Sequence, residues 1–171
     1  FRDPTVDGLK TGHTAAAGYC LVATSKREFP GVGQRRLLSI VLGAASENAR
    51  ANESQKLLNW GYTAFEAVKL FDAGSPVASP AVWKGTASTL KIGREEAIVV
   101  AVPSGSAGKV TTQITRPDPL VAPYTKGQSI GTLKVMLADQ AVAEVPLIAL
   151  EGVEQAGILG RAWDGIRLWI K

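Results

Sequence analysis

The hydrophobic pattern changes period twice along this chain, and no single type of secondary structure accommodates both regimes. Up to about Leu42 the text is strand-like. "GYCLVATS" and "RRLLSIVLGA" are apolar runs of strand length, parted by "KREFPGVGQR", whose Pro30, Gly31 and Gly33 mark a hairpin turn. In "SENARANESQKLLNWGYTAFEAV" the period becomes helical: Leu57, Gly61, Ala64, Phe65 and Val68 recur at three and four residues, and Ser46 is placed as the N-cap. This predicts an amphipathic helix packed on the preceding strands, with Trp60, Tyr62 and Phe65 as core. From Lys69 onward the helical period is lost. "STLKI", "AIVVAV", "KVTTQIT", "SIGTLKVMLA" and "AVAEVPLIAL" alternate with turn signals at Pro103, Gly105, Gly108, "RPDP", Pro123 and Gly127. Regular short strands of this kind predict a separate all-β sandwich or barrel. The change near residue 67 is the expected domain boundary.

The last stretch, "GILGRAWDGIRLWIK", is different again. At 100° per residue, Ile158, Leu159, Ala162, Trp163, Ile166, Trp169 and Ile170 share one arc. Arg161, Asp164, Arg167 and Lys171 share the other, and Leu168 alone is misplaced. The segment is shorter than the ~20 residues needed to span a bilayer, but tryptophans opposite arginines suit a helix lying in the headgroup plane.

The composition is that of a folded protein, with 46% hydrophobic and 20% charged residues in 171. A net charge of +4 favours an anionic partner such as a phospholipid headgroup, a cell-wall polymer or a nucleic acid. Nucleic acid is excluded by the scatter of the basic residues and by only 6% aromatics, with no basic run interleaved among them. One histidine and one cysteine cannot build a metal cluster, and Cys20, inside "GYCLVA", reads as a buried, inert thiol. "FRDPTVDG" contains no apolar signal-peptide core, and its mid-strand vocabulary reads as the back part of a longer chain.

Chemistry concentrates in "VDGLKTGHT". Gly12 lets another backbone lie close along a strand, Thr11 offers a hydroxyl, and Lys10 offers a cation. On an edge strand these three make a docking rail for an extended peptide: main-chain bonds hold it by strand addition, and lysine and threonine receive its carboxylate. His13 follows, with no nucleophile beside it in sequence.

With their neighbours these residues form a larger pattern. "VDGLKTGHTAAAGYCLVA", a second strand and "NESQKLLNWGYTAFE" together resemble the low-molecular-mass penicillin-binding proteins, the serine-type D-alanyl-D-alanine carboxypeptidases of bacterial cell-wall metabolism. The resemblance implies an α+β fold class. Residues 1–67 would be the closing strands and helix of a transpeptidase/β-lactamase-like domain, 68–155 a small β-rich sandwich domain, and 156–171 an amphipathic membrane anchor. It assigns Lys10, Thr11 and Gly12 to the third active-site motif: Lys10 supports proton transfer and anion binding, and Thr11 bonds the terminal carboxylate of D-Ala-D-Ala or of a β-lactam. His13 would supply one backbone N–H of the oxyanion hole, leaving its side chain a bystander. Arg50 falls where similar proteins have an arginine near the substrate carboxylate; the other reading is a solvated first-turn residue.

The implied partners are peptidoglycan stem peptides ending in D-Ala-D-Ala, β-lactams, the upstream part of the same polypeptide, and a membrane surface met by residues 157–171. The implied location is the periplasm, at the outer face of the inner membrane. No cofactor, metal or nucleic acid is implied. The family's nucleophile motif, Ser-x-x-Lys, and its second motif, Ser-x-Asn, precede Lys-Thr-Gly, and only nine residues do so here. The formal matches Ser88–Lys91, Ser106–Lys109 and Ser46–Asn48 stand in the wrong settings, because Ser and Lys must share one face of a helix. The parent is therefore expected to remove the terminal D-Ala through an acyl-serine intermediate, and this chain alone is expected to be inactive. The alternative is a non-catalytic, membrane-associated β module that positions or binds a cell-wall partner. A β-lactamase is disfavoured by the appended β domain and tail.

Overall fold

A computed structural model describes residues 3–158 and Asp164; these residues are mostly β, with one α-helix. Strands β1 (Val6–Thr14), β2 (Gly18–Phe29) and β3 (Gly33–Ala44) form an antiparallel sheet in that order. The β1–β2 turn closes at Gly18, whose φ of +65° suits glycine and where a Cβ would press on the backbone of Gly43 and Ala44 at 3.1 Å. That closure sets Gly12 opposite Cys20 and His13 opposite Tyr19. Cys20, expected in the core, is half-buried.

The helix α1 (Glu47–Ala64) packs on β2 and β3, and the Ser46 hydroxyl accepts the Ala49 N–H as its N-cap. Its inward stripe is Arg50, Ser54, Leu58 and Tyr62, at steps of four residues. This corrects the stripe expected from hydropathy. Leu57 is 45% exposed and Trp60 60%, while Phe65 and Val68 belong to the next strand, β4 (Phe65–Phe71). Polar residues take the inner face because the sheet offers them partners. The Ser54 hydroxyl bonds that of Ser39, and the Tyr62 hydroxyl donates to the Ser25 carbonyl at 2.8 Å. No buried side-chain N or O among the described residues lacks a hydrogen bond.

Beyond β4 come β5 (Pro76–Ala78), β6 (Val82–Trp83), β7 (Ile92–Gly93) and β8 (Ile98–Pro103), then β9 (Val110–Thr115), β10 (Leu120–Val121), β11 (Ser129–Leu137) and β12 (Gln140–Ala149). A five-stranded sheet runs in the order β5-β7-β12-β11-β9; β10 pairs in parallel with β6, and β4 with β8. Leu90, Ile92, Leu120, Leu133, Val135, Leu147 and Val153 are almost fully buried. In β8 burial alternates residue by residue, as a strand with one covered face requires. Gly131 keeps β11 close to β9: a Cβ there would collide with the Thr115 carbonyl oxygen.

The described residues divide into two compact units. One holds the chain up to Val68 together with Ala101–Ala107; the other holds Lys69–Val100 and the described residues from Gly108 onward. The returning segment is tied to the first unit. Ser104 N donates to the Ala64 carbonyl at 2.9 Å, the Ser104 hydroxyl to the Thr63 carbonyl at 2.6 Å, and the N–H groups of Ser106 and Ala107 both donate to Glu66 Oε1. Apart from residues 156–158 and Asp164, the expected C-terminal helix lies outside the described residues. The Asp164 carboxylate accepts the Lys84 N–H at 2.7 Å.

Candidate active-site edge

Among the described residues the strand β1 has a neighbour on one side only, β2, and Lys10 to Thr14 are all exposed. Its outer edge therefore offers unpaired main-chain groups to a ligand. Lys10 Nζ donates to the Thr11 carbonyl at 2.7 Å, and the Thr11 side chain faces solvent. Gly12 has an informative environment. A Cβ built there would meet nothing nearer than Cys20 Cβ at 4.0 Å, and its φ lies outside the left-handed region. The packing and backbone of this chain would both tolerate alanine at this position.

The His13 ring stacks on Tyr19, with centroids 4.0 Å apart and planes 29° apart. Its imidazole is thus turned back onto the hairpin, and its backbone remains on the edge. Arg50 reaches the same residues from α1. Its Nη1 donates to the Gly12 carbonyl at 3.2 Å and to the Cys20 carbonyl at 3.4 Å, its Nη2 pairs with Glu47 at 2.6 Å, and its guanidinium lies 5.6 Å from the Tyr19 centroid. The side chain is only 9% exposed, which excludes the reading of a solvated first-turn residue. A guanidinium so desolvated is sustained by these partners together.

All five expected residues therefore lie together, with Lys10 to His13 along one strand and Arg50 braced on Gly12. Tyr19 and Glu47 complete the group and escaped the sequence reading. For Tyr19 the signal was available: a hairpin closing at Gly18 puts residue 19 opposite residue 13. The formal Ser-x-x-Lys and Ser-x-Asn matches have other tasks. Ser46 caps α1, the Ser106 N–H donates to Glu66, and Lys91 pairs with Glu151 at 3.1 Å. Ser88 lies in a bend before β7, where the sequence suggested a strand.

Two carboxylates flank the base of the hairpin. Asp7 receives both Nη groups of Arg36 at 2.7 Å and the Thr24 hydroxyl at 2.6 Å, which together hold its carboxyl well below the usual range. Asp3 is held low as well, first by the Thr5 hydroxyl, then by Gln55 and the Thr5 N–H, with Arg27 adding to them. Among the described residues no group of three or more potential metal ligands occurs, and no described helix is long and apolar enough to cross a membrane.

A sequence profile described as "Penicillin-binding protein 5, C-terminal domain" matches residues 65–155, and one described as "D-alanyl-D-alanine carboxypeptidase" matches residues 1–46. The chain is 40% identical over 164 residues to D-alanyl-D-alanine carboxypeptidase DacC of Escherichia coli strain K12, covering 95% of this chain and 40% of that protein. It is 36% identical over 167 residues to D-alanyl-D-alanine carboxypeptidase DacA of Haemophilus influenzae, covering 97% and 42% respectively. The crystal structure of penicillin binding protein 5 from Haemophilus influenzae matches with a TM-score of 0.77 at 34% identity, over 88% of this chain and 43% of that one. The chain thus spans about two fifths of the length of these curated relatives.

Proposed function

The chain belongs to the penicillin-binding protein 5 C-terminal-domain family, and on that premise we propose that it is the C-terminal part of a serine-type D-alanyl-D-alanine carboxypeptidase. The whole enzyme removes the terminal D-Ala from peptidoglycan stem peptides through an acyl-serine intermediate, and β-lactams acylate the same serine. Residues 1–67 supply one wall of its active site, 68–155 form a β-rich domain, and 156–171 hold the enzyme to the outer face of the inner membrane in the periplasm. The serine itself belongs to the upstream part of the polypeptide.

On this wall the substrate lies antiparallel to β1 as an added strand. The Thr11 hydroxyl donates to its terminal carboxylate, Lys10 supplies positive potential for that carboxylate and for the proton moving off the serine, and Gly12 leaves room for the substrate backbone. The His13 N–H donates to the oxygen that becomes negative in the tetrahedral intermediate. The observation that carries this reading is Gly12, a glycine that this chain's own packing does not need, next to a cation and a hydroxyl on an open edge.

The first unit also leaves a surface suited to the upstream part. Leu38, Ile40 and Leu42 alternate along β3 and are 57%, 57% and 72% exposed, and Leu57, Trp60 and Phe65 line a cleft of about 300 Å³ beside them. The matched carboxypeptidases are about two and a half times as long as this chain, and their remaining portion is the occupant proposed for that face.

A fluorescent penicillin tests the reading. The 171-residue chain alone should take up no covalent label, and the same chain joined to its upstream portion should label and lose labelling on Thr11→Val. Stable labelling of the chain alone would mean that the nucleophile lies within it.

A further inference from the structure

We propose that Arg50 is a positioning residue for the His13 backbone N–H and acts through the peptide plane that this N–H shares with the Gly12 carbonyl; the proposal rests on the reading of that N–H as half of an oxyanion hole. The two groups belong to one trans peptide unit, so they point in opposite directions and turn together. On an edge strand the plane has a neighbour on one side only. Arg50 supplies a further restraint from α1, with Nη1 donating to Gly12 O at 3.2 Å. A cation on the carbonyl oxygen does more than hold the plane. It draws electron density toward the oxygen and leaves the attached N–H a stronger donor. An oxyanion hole gains most from donors whose direction is fixed before charge develops.

The brace is itself fixed. Glu47 holds Nη2 at 2.6 Å, the Cys20 carbonyl shares Nη1, and the Tyr19 ring lies under the guanidinium. Tyr19 also carries the His13 ring on its face, so the peptide and the side chain of residue 13 rest on one support. A role in binding a substrate carboxylate directly would instead require Arg50 to give up Glu47 or the two carbonyls, because both of its Nη groups are already engaged.

Two measurements test the proposal separately. In the isotopically labelled chain, Arg50→Gln should move the His13 amide proton upfield while amides of β3 stay in place. Glu47→Gln, which loosens the brace without removing it, should give a smaller shift in the same direction and decides the matter alone if Arg50→Gln does not fold. An unmoved His13 amide overturns the proposal. In the full-length enzyme, Arg50→Gln should lower kcat for D-Ala release about tenfold or more, with KM within about twofold, and Arg50→Lys should restore part of the loss. A rise in KM with kcat unchanged overturns it in favour of direct carboxylate binding. A displaced amide with unchanged kcat leaves the brace standing and removes the oxyanion-hole reading instead.

Discussion

At Gly12 the fold and the proposed function make different demands. Gly18 and Gly131 are held by backbone that a Cβ would strike, whereas Gly12 faces open space on an exposed strand. Gly12→Ala should therefore change the stability of the chain by no more than about 0.5 kcal/mol, measured by urea unfolding. The same change in the full-length enzyme should sharply reduce penicillin acylation, because the methyl group stands where the ligand's backbone passes. A large loss of stability would show that the glycine serves the fold after all. The residue types at 10 to 13 were legible because their chemistry is local. The support beneath them was not: Arg50, held by Glu47, reaches Gly12 across a tertiary contact that no spacing in the sequence announces.

At the scale of elements, the strands and the hairpin were readable from apolar runs and turn residues, and the helix was readable from its cap. Its buried face was not. Hydropathy favours Leu57 and Phe65, but the sheet beneath presents Ser25 and Ser39, which make Tyr62 and Ser54 the better inward residues. A second polar junction joins three elements. Asp3, just before β1, accepts from Arg27 of β2 and Gln55 of α1. Its carboxyl titrates below its ordinary value, so the stabilisation is fully present above about pH 4 and is lost as pH falls toward the lowered value. Asp3→Asn should weaken the chain at neutral pH and flatten the fall in stability between about pH 4 and 2. Denaturant midpoints measured across that range check this; identical slopes for the two proteins would show that the junction contributes nothing.

For the whole molecule, the chain's net charge of +4 and the two-sided pattern of residues 157–171 are the features on which the proposed membrane contact rests. The chain should float with liposomes of anionic lipid, and the form lacking residues 157–171 should not. Equal flotation of both would move the membrane contact elsewhere. The division between the units was only partly visible in sequence. "AIVVAV" reads as one uninterrupted strand, and nothing in its composition reveals that Ile98–Val100 belongs with one unit and Ala101–Val102 with the other.

That return has a consequence for synthesis. The first unit is not a continuous stretch of polypeptide, because it lacks Ala101–Ala107, and with them the partners of Thr63, Ala64 and Glu66, until residue 107 has left the ribosome. The usual order, in which an N-terminal domain is finished before the next begins, is closed to it. Residues 69–100, the first part of the second unit, emerge while the first unit is still incomplete, so synthesis of the two units is interleaved.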